Sequence, residues 1–423
     1  GLTDYDSGTT GPYGLQSLRA YGDYKTKGYT GEVRFVSDDS GNWSWIAGAF
    51  MQRYQIDALA DLYIANTAGL NSLPGLPALL VTPRGLSAAQ AYVEPTSKES
   101  SLYGEVVRKL GERWDVTLGA RFYNTELHGY RNVEGLISAA YPTGSYTPIE
   151  QNEKGISPKL SVTFKPTDGI FTYATVSRGF QFGGANPPPT LALPNNNPVT
   201  GVPVPVDFKS SVLWNYEVGV RTDWFERTLR IDTTAFFLDW SKAQFGQSSG
   251  GALPNNYTDN VGKVHSRGME ATIAWLTPVP GLSLNLAGSY IVATTAAPYD
   301  PGTGDVIPPG TTMPATPRVQ TAATLQYNVS LGPWLTNASL THTHWGKAYN
   351  NIQHTYEIYD FENINGLLSV SRPDWSGAPT LAFGITNIAD ERALMSHIPS
   401  STAIQEGWAY SRPRAISLRL SAD

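Results

Sequence analysis

The chain has no cysteine among its 423 residues, which excludes a disulfide framework, thiolate metal centres and cysteine nucleophiles. It also lacks any apolar run near the roughly 18 residues that a membrane-crossing helix needs. The longest candidate, Leu76 to Val81, is cut short by Pro74, Pro77 and Pro83. Helical insertion is thereby excluded, but insertion by strands is not, because a strand shows only alternate residues to lipid. Charge is sparse at 16% of residues, with 30 Lys and Arg against 36 Asp and Glu, a net of −6. That balance argues against nucleic acid as a partner. The opening Gly1-Leu2-Thr3-Asp4 has neither the basic nor the apolar part of an export signal. For an exported protein, this points to a mature or truncated chain.

What the sequence does have is a strand rhythm. In Ser157 to Asn186, Leu160, Val162 and Phe164 alternate with Lys159, Ser161, Thr163 and Lys165, giving one apolar and one polar face. Pro166 to Gly169 supplies a tight turn, and a second run from Phe171 to Phe180 opens into a Gly/Pro/Asn-rich loop. The same unit recurs, so that about sixteen strands are expected. They begin near Leu15, Tyr29, Trp43, Glu99, Trp114, Ser157, Phe171, Leu213, Leu229, Ser266, Leu282, Val319, Trp334, Ile364, Thr380 and Arg412.

Connections alternate in length. Short turns lie at Asp38 to Gly41, Gly111 to Arg113, Pro166 to Gly169, Phe225 to Arg227, Pro278 to Gly281 and Leu331 to Pro333. Long loops lie between them: Gln55 to Lys98, His128 to Glu153, Gly184 to Lys209, Phe245 to Tyr257, Thr295 to Pro317 and Gly346 to Asn363. Sorting by parity is the habit of outer-membrane barrels, with short turns inside the cell envelope and long loops outside. Trp43, Trp45, Trp114, Trp224, Trp275 and Trp334 all fall near short turns. Indoles favour a lipid–water boundary, so these six predict an aromatic girdle at that end; packing of strand ends in a soluble core is the plainer alternative. The apolar positions Leu160, Val162, Phe164, Val218, Val220, Leu284 and Leu286 are expected to face lipid.

The same frame carries no recognisable catalytic pattern. His128, His265, His342, His344, His354 and His397 lie mostly in loops or at strand ends, without a G-x-S-x-G elbow. His342 and His344 share a strand face with His354 close in sequence, yet no carboxylate completes a metal site, and none is expected. Asp390-Glu391 reads as a solvated pair, and Gly183-Gly184 lacks phosphate-loop spacing. No enzymatic chemistry and no cofactor are expected. Glu105, Arg121, Glu217, Arg221 and Glu270 occupy the polar face, as interior ion-pair ladders or as the lining of a passage. Ligand recognition, if present, would use aromatic and amide residues of the long loops: Tyr123, Tyr141, Tyr146, Phe182, Asn186, Tyr257, Tyr349, Asn350 and Tyr356.

With these motifs in place, the chain resembles the barrel region of TonB-dependent outer-membrane receptors, from about Tyr29 onward. The likeness is densest in YTGEVRFVS with WSWIAGAF, in SLYGEVVRKLGERWDVTLGARFYNTE, in the Ser157 to Asn186 segment, in LWNYEVGVRTDWFERTLRIDTTAFFLDW and in NVGKVHSRGMEATIAW. LAFGITNIADERAL and PRAISLRL match the family's last strands. The resemblance implies an all-β, antiparallel, up-and-down transmembrane barrel of about twenty-two strands, plugged by an N-terminal domain. About six strands and the plug would then be missing here. It also implies an outer-membrane location in a Gram-negative cell, lipid and the TonB complex as partners, and uptake of a scarce bulky ligand. A ferric siderophore-type complex is the default ligand; saccharides and aromatic nutrients are alternatives. The family usually ends in an aromatic residue, whereas this chain ends Ser421-Ala422-Asp423. Two rivals remain: a passive sixteen-stranded porin, whose first and last strands would pair, and a soluble β-rich binding or hydrolytic protein with an apolar interior.

Overall fold

The computed structural model describes residues 18–38, 40–64, 81–82, 85–134, 145–186, 204–248, 256–300, 306–398 and 407–422, which contain strands and no helix. β1 (Leu18–Val36) and β2 (Trp43–Ile64) form the first hairpin. β3 (Val81–Thr82), β4 (Gly85–Val93) and β5 (Thr96–Leu110) follow, then β6 (Trp114–Glu134), β7 (Ser145–Thr167) and β8 (Ile170–Gln181). The short β9 (Gly184–Ala185) and β10 (Asp207–Phe208) precede β11 (Ser211–Trp224) and β12 (Leu229–Ser241). After the hairpin of β13 (Gln244–Ser248) and β14 (Asn256–Asn260) come β15 (Lys263–Leu276), β16 (Leu282–Thr295), β17 (Val319–Leu331), β18 (Trp334–Tyr349) and β19 (Glu357–Ser371). The order closes with β20 (Thr380–Thr386), the hairpin of β21 (Leu394–Ile398) and β22 (Gly407–Tyr410), and β23 (Ala415–Ser421).

One antiparallel sheet of 17 strands carries the fold, each long strand bonded to its neighbours in sequence. β4 and β5 lie end to end along β2, joined at Glu94-Pro95, and serve as a single strand. With that pair merged and the two-residue β3 left out, the 17 strands make 15 passes. The expected count of about sixteen drops by one because the strands read near Leu15 and Tyr29 are one continuous β1. Gly28 stands just before the expected strand start near Tyr29. In the sheet it pairs with Tyr54, and a Cβ there would lie 2.6 Å from that ring. Among the described residues, β1 is bonded only to β2 and β23 only to β20.

The parity of connections holds. The short turns, joined by Arg372 to Pro379 between β19 and β20, lie at one end of the sheet, and the long connections lie at the other. Turn chemistry explains the short end. Phe225, Glu226 and Arg227 all sit in the left-handed region (φ 51, 56 and 67), the hand that matches strand twist across a tight hairpin. Gly281 (φ 81) must be glycine, since a Cβ would fall 1.8 Å from the Asn328 carbonyl oxygen.

The two faces of the sheet differ. Leu118, Leu160, Val176, Tyr216 and Phe237 follow one another across consecutive strands on one face. Trp275, Leu284, Leu325 and Leu340 continue it. All the expected lipid-facing positions, from Leu160 to Leu286, fall on this side. The other face is polar and internally paired. Lys159 reaches Glu105 at 2.9 Å, Lys165 reaches Asp115 at 3.5 Å, and Arg230 grips Asp223 with two bonds of 2.7 and 3.1 Å. Exposed pairs of this kind contribute about 0–1 kcal/mol each. The continuous backbone ladder matters more, because a buried backbone group left unpaired costs about 1–3 kcal/mol. Among the described residues, buried apolar clusters gather toward the long-loop end: one around Val261, Val264, Met313 and Ile352, another of Val93, Leu127 and Ile149.

Candidate ligand-binding end

The strands run past the expected loop borders. β2 continues to Ile64, β6 to Glu134, β7 begins at Ser145 and β19 at Glu357, so the supposed loops are partly paired hairpin extensions. These extensions are hard to see in the sequence because apolar/polar alternation fades there.

Amide side chains knit this end together. Asn186 is 1% exposed; its Nδ2 donates to Pro205 O at 3.1 Å and Thr258 O at 2.8 Å, while its Oδ1 accepts the Thr258 N–H at 2.8 Å. Gln151 donates to Phe208 O at 3.1 Å. Gln244 Nε2 donates to Phe182 O at 2.7 Å and Lys209 O at 2.9 Å. Asn260 accepts from Lys209 N at 2.7 Å and donates to Lys242 O at 2.8 Å. Sequence reading proposed Asn186 as a ligand contact and passed over the other three. The structure spends Asn186 wholly on cross-loop bonding.

The aromatic candidates divide in the same way. Tyr123 is 8% exposed, lies over Gly155 and stacks on Phe180 at 3.6 Å, and Phe182 meets Phe180 edge-on at 5.3 Å. Tyr257 is 6% exposed, and burial pushes its hydroxyl pKa up. Asn350 Oδ1 accepts the Tyr356 N–H at 3.0 Å, closing the turn after β18. Tyr123, Tyr257 and Asn350 are therefore packing and turn residues here. Tyr349 stacks on His354 at 3.9 Å, and Tyr146 stacks on Tyr130 at 5.0 Å. Tyr141 lies outside the described residues. Tyr356 joins His397 (3.7 Å) and Trp408 (5.5 Å) in a half-buried ring cluster bridging two loops.

A second ring group was not anticipated. On the polar face, Trp345 stacks on Phe361 at 6.5 Å and meets Tyr359 at 5.4 Å. Beside it opens a cavity of about 350 Å³ lined by Phe361, Asn363, Asn365, Glu391 and Arg412. Asn363 Oδ1 is buried there without a hydrogen-bond partner. The available signal was Phe361, Asn363 and Asn365 at a spacing of two, one face of one strand.

Of the polar-face charges, Glu105 pairs with Lys159, and Arg121 pairs with Glu99 beneath the Phe50 ring. Arg221 binds Asp232 at 2.5 Å, and Glu217 accepts from Tyr173 at 2.5 Å. Glu270 stands exposed opposite Thr234 and Ser289. Trp43, Trp45, Trp114, Trp224, Trp275 and Trp334 all lie on the apolar face at the short-turn end, and Trp114 stacks on Phe164 at 4.2 Å. His342 and His344 flank Glu362 at 3.3 and 4.0 Å, whereas His354 Nε2 contacts Thr312 O at 2.8 Å elsewhere. The described residues contain no group suited to hold a metal. Asp390 is exposed and accepts the Arg414 N–H at 2.8 Å, and the half-buried Glu391 accepts the Glu362 N–H at 3.2 Å.

An up-and-down antiparallel sheet with one apolar and one polar face, short turns at one end and long loops at the other, defines the outer-membrane β-barrel architecture. The chain matches the family described as TonB dependent receptor-like, beta-barrel, over residues 2–388, and belongs to that family. No curated protein matches the sequence. The ferric yersiniabactin uptake receptor FyuA from Yersinia pestis is similar in structure: TM-score 0.73 at 15% identity, over 96% of this chain and 55% of that one. BauA, the ferric preacinetobactin receptor from Acinetobacter baumannii, gives 0.62 at 15% identity, over 96% and 55%. The copper transporter OprC gives 0.67 at 11% identity, over 99% and 59%. The chain thus spans little more than half the length of these proteins, and the likeness establishes fold.

Proposed function

We propose that this chain supplies the later barrel strands of an energised outer-membrane importer for a scarce, bulky nutrient, with a ferric siderophore-type complex as the first candidate. The observation that carries this reading is the family match along residues 2–388. In it, the apolar face meets lipid, the six tryptophans form the girdle of one interface, and Glu105, Arg121, Glu217, Arg221 and Glu270 line the lumen. Earlier strands and a plug would come from further chain, through which an inner-membrane TonB partner would act. The single-sided bonding of β1 and β23 supports this and weighs against the porin, which expects those strands to pair with each other.

Ligand contacts are proposed at the Trp345–Tyr359–Phe361 group with its neighbouring amide-lined cavity, and at the Tyr356–His397–Trp408 cluster. Rings and amides suit a neutral or weakly charged complex bound by stacking and hydrogen bonds. No covalent chemistry is assigned. The test compares transcript level and radiolabelled iron uptake in the source bacterium with and without the gene, under iron limitation. Loss of uptake in the deletion strain supports the reading. Induction by a carbon source, with iron uptake unchanged, rejects the iron assignment.

A further inference from the structure

The cavity of about 350 Å³ beside Phe361 is built by separate stretches of chain. β19 gives Phe361, Asn363 and Asn365, at a spacing of two on its polar face, and the end of β20 gives Thr386 and Asn387. The loop after β20 gives Glu391, β21 gives Met395, and the segment before β23 gives Ser411, Arg412 and Pro413. One acid and one base thus line the same small space. No ion pair joins them, and neither forms one with any other described residue.

A single buried amide sets both in place. Asn387 is 6% exposed; its Nδ2 donates to Glu391 O and Arg412 O, each at 2.9 Å, and its Oδ1 accepts the Glu391 N–H at 3.0 Å. Ser411 Oγ adds a bond to Glu391 O at 3.0 Å and accepts the Ala393 N–H at 3.0 Å. These bonds fix the two backbones and leave the charged heads uncommitted. Glu391 Oε2 accepts the Glu362 N–H at 3.2 Å, while Oε1 has no such partner among the described residues. The Arg412 guanidinium donates to no described residue. Asn365 is oriented in the same way: its Oδ1 accepts the Asn387 N–H at 2.9 Å, so its Nδ2 donor remains.

The plainer reading is a water-filled gap under a loop, with the exposed Arg412 turned to solvent. Water alone gives no reason to hold an acid, a base and an amide donor around one cavity with an aromatic wall; that arrangement is a preorganised site. A simple anion would be repelled by Glu391 and a simple cation by Arg412. An uncharged guest would leave both heads desolvated and unpaired. A zwitterion satisfies both. We propose that the cavity takes the free α-amino-acid end of the imported ligand. Its carboxylate lies on Arg412 and accepts from Asn365 Nδ2, its ammonium donates to Glu391 Oε1, and its side chain packs on Phe361 and Met395. The volume is at the small end of ligand cavities, which span roughly 300–1,000 Å³. It holds one such group and leaves the rest of the ligand to the Trp345 and Tyr359 rings. The inference rests on the importer reading and narrows its weakly charged ligand to a zwitterionic one.

The test titrates the full-length receptor in detergent with L-phenylalanine, its methyl ester and its N-acetyl form, by isothermal titration calorimetry. The ester lacks the carboxylate and the acetyl form lacks the ammonium. Each should bind about tenfold or more weakly than the free amino acid, the difference expected for a lost charge-assisted hydrogen bond. R412Q should erase the discrimination against the ester and keep that against the acetyl form. E391Q, which retains an acceptor for the Glu362 N–H, should do the reverse. K263Q, which removes a cation paired with Asp239 at 3.0 Å, should change neither. Heat-modifiable gel mobility checks that each variant is folded, and the comparison of the three probes needs no variant at all. Equal binding of the probes, no detectable binding of the free amino acid, or intact discrimination against the ester in folded R412Q overturns the proposal. The uptake experiment reads import separately. Uptake lost on deletion alongside equal probe binding removes only this site, whereas discrimination with iron uptake unchanged keeps the site and rejects iron as cargo.

Discussion

Asn186 and Thr258, 72 positions apart in sequence, exchange two hydrogen bonds of 2.8 Å: the Asn186 amide donates to the Thr258 carbonyl and accepts from the Thr258 N–H. A side chain thus imitates a strand partner and ties the loop after β8 to the β13–β14 hairpin. Such a connection makes the long-loop end one body rather than separate flaps.

Asn186→Ala should therefore loosen the rim without unfolding the sheet. Removing a fully buried amide leaves Thr258 N–H and two carbonyls without partners, a cost of about 2–4 kcal/mol. Hydrogen exchange should rise at Thr258 and at the backbone N–H of position 186, which bonds Val206 O, and stay unchanged in β11 and β12. Global melting with equal exchange in all three regions would show that the amide supports the barrel itself.

Gly219 offers a test within the sheet. A Cβ there would lie 2.3 Å from the Tyr173 ring, which crosses Gly219 to reach Glu217. Gly219→Ala should displace that ring, break the Tyr173–Glu217 bond and destabilise the sheet by about 1–3 kcal/mol. The measurement is the temperature at which the compact gel form is lost. Gly179, which has open space on its Cβ side, should tolerate alanine.

Much of this architecture was legible because the two faces of the sheet differ in polarity. Leu284 and Leu286 alternate with Asn285 because one face is apolar and the other polar, and the turn at Pro278 to Gly281 announces itself through residue type. Where that contrast ends, reading failed. The strand start expected near Tyr29 falls inside β1, where Gly28 makes room for the Tyr54 ring across the strand pair. The β13–β14 hairpin falls largely within the expected loop Phe245 to Tyr257, because nothing there needs an apolar face. Recognition residues were hardest. Asn186 and Phe361 are equally plausible in sequence, and only tertiary pairing shows that one is consumed in structure and the other lines a cavity.

The Tyr299 hydroxyl donates to Asp259 Oδ2 at 3.0 Å inside the larger loop-end cluster. Burial first, then the Asp259 charge, raises its pKa far above the ordinary value of 10. Because the folded value is raised, the stabilisation from the protonated hydroxyl is complete below pH 10 and declines as pH rises beyond it. Alkaline titration should open the loop cluster before the barrel strands, followed by tyrosinate absorbance together with hydrogen exchange at Ile307. Tyr299→Phe should remove the alkaline step and lose about 1–3 kcal/mol locally at neutral pH. An alkaline transition of the same midpoint in the variant would assign the step to another group.

Leu286 and Ala287 sit side by side on β16 but face opposite ways. Leu286 continues the apolar face between Ile273 and Ala323; Ala287 continues the polar face between Thr272 and Ala322. If the apolar face is the lipid face, arginine at the two positions should have very different costs. Leu286→Arg places a guanidinium among acyl chains two residues inside the Trp275 level. The penalty there lies between the about 0–1 kcal/mol of the interface and the about 2–4 kcal/mol of the bilayer midplane. Ala287→Arg places the same group in a polar, hydrated interior and should cost less than about 1 kcal/mol. Both variants carry the same added charge on the same strand, so a shared folding defect from net charge cancels in the comparison. The readout is the denaturant midpoint of the barrel refolded into lipid vesicles. A larger loss for Ala287→Arg would reverse the assignment of the faces, and with it the lumen positions of Glu105, Arg121, Glu217, Arg221 and Glu270.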